Sequence, residues 1–147
     1  MAVRRYRIFW NLLSKDPPGG VAVTADIPDA WTDDLDPTGS TELTVPGLGM
    51  FSKPTITAIA AAGDSDAARV EWALKQNFGD SLASAERVDR DGGRVWAVAT
   101  RPNGQLLARM IVPAGRGVVV AGVLLAPAEA SKLAEIERVL ETIRAGE

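Results

Sequence analysis

The order of apolar and polar side chains predicts two strands in the first half of the chain. Residues 21–27 alternate and place four apolar side chains on one face, Val21, Val23, Ala25 and Ile27. Pro28 ends this strand because proline has no N–H to donate to a sheet. Residues 55–62 are the second predicted strand. The connection over residues 29–54 is rich in Asp, Thr, Pro and Gly, and it is predicted to be irregular apart from a short strand at 41–45.

A helical period follows the second strand. Val70, Leu74 and Phe78 recur every four residues, so they fall on one face of a helix. The stretch 63–66 (Gly-Asp-Ser-Asp) supplies small side-chain oxygens that can cap the first N–H groups of this helix. Gly79 stands where a glycine commonly ends a helix.

The second half of the chain predicts an antiparallel meander. Short turns, of which Arg-Pro-Asn-Gly at 101–104 is the clearest, connect three strands at residues 94–100, 105–112 and 118–125. Connections this short require antiparallel neighbours. An earlier strand near 82–88 is expected to join the same sheet.

Two features of the second half indicate how this sheet is covered. Residues 118–125 are apolar on both faces, which is typical of a strand that is covered on both sides. A last helix is predicted to begin near Pro127 and to end before Gly146. Its expected buried stripe is Leu133, Ile136, Leu140 and Ile143.

These elements predict an α+β fold in which helices pack on an antiparallel sheet. The length of 147 residues fits one hydrophobic core, which we assign to residues 20–147. Residues 1–19 are interpreted as an N-terminal extension. Its period is ambiguous between strand and helix, because Tyr6, Ile8, Trp10 and Leu12 alternate while Ile8–Leu12 and Phe9–Leu13 keep helical spacing.

Composition excludes much chemistry. The chain has no Cys and no His, which excludes disulfides, thiol nucleophiles, Ser-His-Asp triads and the usual zinc sites. The net charge of −3 argues against a dedicated nucleic-acid binder. No apolar run approaches the roughly 20 residues of a membrane span, and no export signal is recognisable. We therefore expect a cytoplasmic protein that is not an enzyme.

Two motifs resemble ligand sites but are incomplete. Residues 34–40 begin like a calcium loop, but Val45 stands where the closing bidentate Glu is required. Residues 47–52 hold two glycines of a dinucleotide fingerprint, but Lys53-Pro54 and a strand follow instead of a helix. We expect no metal and no cofactor.

The stretch from Val45 to Phe51 is also the strongest candidate for binding a partner. Leu48, Met50 and Phe51 stand on a backbone interrupted by Gly47 and Gly49, and Met and Phe suit an adaptable apolar contact. The alternative is that these side chains fold back as a lid over the core. Trp31 is included in the candidate site because Trp is enriched at binding hot spots, although packing in the core is its commoner role.

The first third of the chain separates its charges. Basic residues come first, at Arg4, Arg5, Arg7 and Lys15, and seven acidic residues follow before Lys53. One interpretation is a charged surface that orients a partner. The other is a solvated surface on which the two patches partly neutralise each other.

Ile27-Pro28-Asp29-Ala30-Trp31 resembles the opening of PsbP-like domains, a group that includes the DcrB-like bacterial proteins. The element order over roughly residues 20–145, including Gly93-Arg94-Val95-Trp96 in the meander, is similar. This resemblance implies an α/β/α sandwich that binds other proteins. The branch most similar in length contains the cytosolic chaperones of type VI secretion effectors. These chaperones use dimers to shield apolar segments of the effectors. Residues 2–20 have no counterpart in them.

Three hypotheses follow. The first is a non-enzymatic protein-binding module, a chaperone or adaptor for an apolar segment of another protein, with homodimerisation left open. The second is an immunity-type or structural protein that binds one partner through a charged surface. The third, an enzyme that uses carboxylates, is disfavoured by the missing motifs.

Overall fold

The computed structural model describes residues 2–11, 20–35 and 40–146. Within these residues the chain is α+β, as predicted, with ten strands and two α-helices. The strands are β1 Ala2–Asn11, β2 Gly20–Ile27, β3 Thr32–Leu35, β4 Thr41–Thr44, β5 Thr55–Ala60, β6 Glu86–Asp89, β7 Val95–Thr100, β8 Leu106–Ala114, β9 Gly117–Leu125 and β10 Arg144–Gly146. The helices are α1 Asp66–Phe78 and α2 Leu133–Leu140, and 3₁₀ segments occupy Gly79–Ser84, Asp91–Gly93 and Pro127–Lys132.

Two antiparallel groups of strands make up the sheet. Its order is β10-β2-β1-β5-β9-β8-β7-β6, and the β3–β4 hairpin attaches to β5. The three-stranded group β10-β2-β1 joins the rest through a short parallel pairing of β1 with Ala58 and Ile59 of β5. β4 pairs with Thr55 and Ile56 on the same edge of β5. The β3–β4 hairpin therefore lies where β1 and β5 diverge.

The helices cover opposite faces of the sheet, as the doubly apolar β9 predicted. Val70, Leu74 and Phe78 of α1 are buried against one face, together with Val118 and Val120 of β9. Ile136, Val139 and Leu140 of α2 belong to the larger core on the other face. That core takes the intervening β9 residues, Val119, Ala121, Val123 and Leu125.

The caps of α1 and the buried face of β2 agree with the sequence prediction. Ser65 caps α1, since its hydroxyl accepts a hydrogen bond from the Ala68 amide at 3.1 Å. Gly79, with a φ of 54°, ends the helix. In β2, the four predicted residues, Val21, Val23, Ala25 and Ile27, are all buried.

Four expectations need correction. Residues 29–54 hold a second strand, β3. The strand expected near 82–88 joins the sheet beside β7, but it is shorter and begins at Glu86, after a 3₁₀ segment. Pro127 begins a 3₁₀ segment, while the last α-helix starts at Leu133 and ends at Leu140. Buried Ile143 follows that helix, and Gly146 lies in β10. The chain leaves the helix here because the guanidinium of buried Arg94 donates to the carbonyls of Glu141, at 2.6 Å, and Ile143, at 3.4 Å.

The described N-terminal residues, 2–11, pack within the sheet. Of the two alternatives left open, residues 2–11 adopt the strand. This strand lies inside the sheet, between β2 and β5, and Ile8 is fully buried. The division expected at residue 19 therefore does not correspond to a division in packing.

Candidate functional site

Two tight turns shape the loop of residues 45–52 between β4 and β5, hereafter the 45–52 loop. The amide of Leu48 donates to the carbonyl of Val45 at 3.2 Å, and that of Ser52 donates to the carbonyl of Gly49 at 3.0 Å. Pro46 and Gly47 occupy the centre of the first turn, where Gly47 has a φ of 89°. A turn with Pro followed by a positive-φ residue is of type II, which favours glycine at that position. The loop therefore has a defined conformation.

The loop has a buried base and an exposed tip. Val45 and Ser52 are buried, and Leu48 packs partly against the core on the α2 face. Met50 is 74% exposed and Phe51 is 91% exposed. The lid interpretation thus fits the base of the loop, while Met50 and Phe51 at its tip stand in solvent.

Glu129 fastens this loop to the 3₁₀ segment at residues 127–132. Its Oε2 accepts a hydrogen bond from the Gly49 amide at 2.7 Å, and its Oε1 accepts one from the Ser52 hydroxyl at 2.5 Å. The Ala126 amide also donates to Oε1, at 3.0 Å. These bonds, led by the one from Gly49, lower the pKa of Glu129 below its ordinary value because they favour the ionised carboxylate.

A shallow cleft of about 250 Å³ lies along the loop, bounded also by Thr44 and Lys53. Pockets for small molecules usually enclose about 300–1,000 Å³. This cleft is therefore smaller than most small-molecule pockets.

Trp31 does not belong to this surface site. It is 1% exposed and lies in the core on the α2 face. The turn that follows β2, closed by the Trp31 amide donating to the Pro28 carbonyl at 3.0 Å, directs the indole inward. Arg4 fixes the turn from outside by donating to the Trp31 carbonyl at 2.8 Å. The candidate site thus narrows to Leu48, Met50 and Phe51.

Glu129 is the site residue that the sequence analysis missed. The sequence Pro127-Ala128-Glu129 is a helix-start pattern, in which the glutamate side chain accepts a hydrogen bond from the backbone at the start of its own first turn. Glu129 does so with the Ala126 amide. No local signal indicates that the same carboxylate also reaches a loop 80 residues away.

A second cleft, of about 460 Å³, lies between the start of α1 and the β6–β7 connection. Its charged lining is already paired. Arg87 pairs with Glu71 and with Asp89, and the guanidinium of Arg90 lies 2.8 Å from the carboxylate of Glu137. The other charged lining residues pair in the same way, Arg94 with Asp91 and Asp66 with Arg69. This cleft therefore has little unpaired charge with which to recognise a ligand.

Among the described residues, the basic and acidic segments of the first third meet where Arg4 and Tyr6 contact Asp33. The Asp33 carboxylate accepts hydrogen bonds from the Arg4 guanidinium at 3.0 Å and from the Tyr6 hydroxyl at 2.8 Å. The Tyr6 bond, followed by those from Arg4, lowers the pKa of Asp33, whereas burial and Asp33 raise the pKa of Tyr6 to about 12. At this contact Arg4 and Asp33 neutralise each other. Lys15 and residues 36–39 of the calcium-like loop lie outside the described residues.

Comparisons with known proteins found no match to a protein-family model, to a curated protein or to a solved structure. The resemblance to PsbP-like domains therefore stays a prediction. Within the described residues, neither helix has the length and apolarity needed to cross a membrane. The same residues hold no group of three or more acidic side chains arranged to bind a metal ion.

Proposed function

We propose that this protein is a non-enzymatic binding module, a chaperone or adaptor, which receives an apolar segment of another protein at the tip of the 45–52 loop. A cytoplasmic location is part of the proposal. The observation that carries it is the exposure of two neighbouring large apolar side chains, Met50 and Phe51, on a loop that hydrogen bonds hold in place.

Exposure of this kind is unfavourable unless a partner covers it. Single apolar side chains on a surface are common, but adjacent large ones beside a cleft are typical of interaction sites. Met adapts its shape to different contacts, and an aromatic ring buries a large area. The cleft beside Leu48 can receive a side chain from the partner in return.

The size of the patch limits what it can do alone. Full burial of Met50 and Phe51 yields about 1.5–3 kcal/mol for each side chain. Association itself costs an estimated 4–15 kcal/mol, so the partner must extend beyond these two residues. A segment that also follows the half-buried Leu48 and the 127–132 segment would add contact area beyond these two side chains.

A charged-surface partner, the second hypothesis, has less support. Each charged residue of the larger cleft pairs with an opposite charge, and Arg4 pairs with Asp33. Such pairs leave a weak local field for steering a partner. A carboxylate enzyme has still less support, since both observed clefts lack an acid that is free of a cation or of N–H donors.

The test is site-specific photo-crosslinking in the expressing cell. Phe51 is replaced by the photoreactive residue p-benzoylphenylalanine, which keeps an aromatic ring at that position. As a control, the same replacement is made at Val88 on β6, which is 43% exposed and lies 37 residues after Phe51 in the sequence. We expect position 51 to yield a specific adduct whose crosslinked peptide is apolar, and position 88 to yield none.

A competition experiment follows, in which a second protein without the photoreactive residue is present in excess. The unchanged protein should reduce the yield of the position 51 adduct, whereas the double variant M50S/F51S should not. The melting temperature of the double variant should stay close to the original because both side chains are exposed. An adduct with a second copy of this chain would identify a homodimer contact. Equal labelling at positions 51 and 88 would reject the proposed function.

A further inference from the structure

We infer that Glu129 is a positioning residue for partner capture, which holds Met50 and Phe51 outward before the partner arrives. This inference rests on the proposed function and extends it to the segment that controls the loop. Gly49 and Ser52, the two loop residues that bind the Glu129 carboxylate, directly flank the exposed pair. One side chain therefore fixes both ends of the tip.

The hydrophobic effect explains why such a clamp is needed. A loop with two glycines could turn Phe51 onto the protein surface and remove apolar area from water. The 91% exposure of Phe51 instead requires something that opposes this collapse. The three bonds to Glu129 are charge-assisted, and bonds of this type are about twice as strong as neutral ones.

The Glu129 side chain is itself held in place. The amide of Ala126 holds Glu129 at the start of its own 3₁₀ segment, so the carboxylate presents a fixed acceptor to the loop. The aliphatic part of Lys132, from the same segment, lies beside Gly47, where an added Cβ would stand 3.3 Å from the Lys132 Cε. The loop is thus seated on the 127–132 segment, and less order is lost when a partner binds a loop that is already held.

The test compares three variants, E129A, E129Q and the control E135A. Glu135 is nearby on α2 and pairs with Lys132 at 3.8 Å, but it has no bond to the 45–52 loop. Hydrogen–deuterium exchange of the Gly49 amide reports the clamp directly, and the crosslinking yield at position 51 reports partner capture.

In E129A we expect the Gly49 amide to exchange roughly tenfold faster or more, the factor for one lost hydrogen bond to a charged group. The crosslinking yield should fall with it, while amides of β9 keep their protection. E129Q retains one carbonyl oxygen and should be intermediate in both measurements. E135A should match the original protein.

Each adverse outcome has a distinct meaning. Unchanged Gly49 exchange in E129A would show that the clamp does not hold the loop, and would overturn the inference. Faster exchange with undiminished crosslinking would overturn the positioning role and leave the proposed function standing. A protein with intact Glu129 that yields no adduct at position 51 would overturn both.

Discussion

Arg109 illustrates how a single residue departs from the pattern of its strand. It projects from β8 into the apolar layer beneath α1, where its Nε donates to the Asn77 side-chain oxygen at 3.2 Å. Its Nη1 donates to the carbonyls of Ala108, at 2.9 Å, and Val123, at 3.3 Å. Burial lowers the pKa of Arg109, because the charged form loses hydration. The neutral oxygens replace that hydration.

Gly122 makes room for this guanidinium, which gives the first prediction. It lies opposite Arg109 in the β8–β9 ladder, and a Cβ there would stand 2.5 Å from the Arg109 Cδ and overlap the Ala108 carbonyl. We expect Gly122→Ala to lower the free energy of unfolding by about 1–3 kcal/mol through overpacking. Denaturant titration measures this change.

Gly146→Ala is the matched control, since an added Cβ there meets no atom within 4 Å. Its free energy of unfolding should stay within about 0.5 kcal/mol of the original. A Gly122→Ala protein as stable as this control would show that the Arg109 side chain and the β8 backbone at Ala108 both shift to make room for the added methyl group.

At the scale of elements, the sequence predicted those with strong local signals. β2 and α1 have a clear period with a proline or caps at their ends, and the β7–β8–β9 meander has apolar strands separated by short turns. β3 has the sequence Thr-Asp-Asp-Leu, which has little preference for a strand. It becomes one because β4 pairs with it and because Arg4 and Tyr6 bind Asp33. β10 likewise depends on the edge of β2. Such partners are distant in sequence, so local patterns do not reveal them.

The contact of β3 with β1 predicts a pH dependence. The pKa of Asp33 in the folded protein lies below its ordinary value of 3.8. Its contribution to stability is therefore fully present above that value and is lost as the pH falls through the folded pKa. We expect Asp33→Asn to reduce stability near neutral pH, and the difference from the original protein to narrow below about pH 4.

Urea titrations at a series of pH values measure this difference. Tyr6→Phe removes the donor that lowers the pKa of Asp33 most, so it should reproduce part of the effect. A difference between Asp33→Asn and the original protein that is constant with pH would show that ionisation of Asp33 does not stabilise the contact of β3 with β1.

At the scale of the whole molecule, the candidate site was predicted in part. The sequence proposed Leu48, Met50 and Phe51, because apolar residues among glycines are visible locally, and of these Met50 and Phe51 are exposed. The two glycines indicated an adaptable backbone, whereas Glu129 holds the loop in place, and the predicted site included Trp31, which is buried. Both differences arise from the folding of the chain upon itself. Glu129 follows β9 in sequence, and Arg4 from β1 holds the turn at Trp31.

The position of β1 between β2 and β5 indicates that the N-terminal strand folds together with the rest of the sheet. We expect a protein lacking residues 1–19 to lose its cooperative thermal transition and to bind a dye for exposed apolar surface. The three-stranded group would lose its middle strand, β5 would lose its parallel partner, and the core would lose Ile8. Circular dichroism and dye fluorescence measure both effects. Deleting residues 144–147 is the control, because it removes the described part of an outer strand, and this protein should still melt cooperatively at a lower temperature. A cooperative transition in the 20–147 protein would instead restore the boundary at residue 19, and β1 would then be an addition to a domain that is already stable.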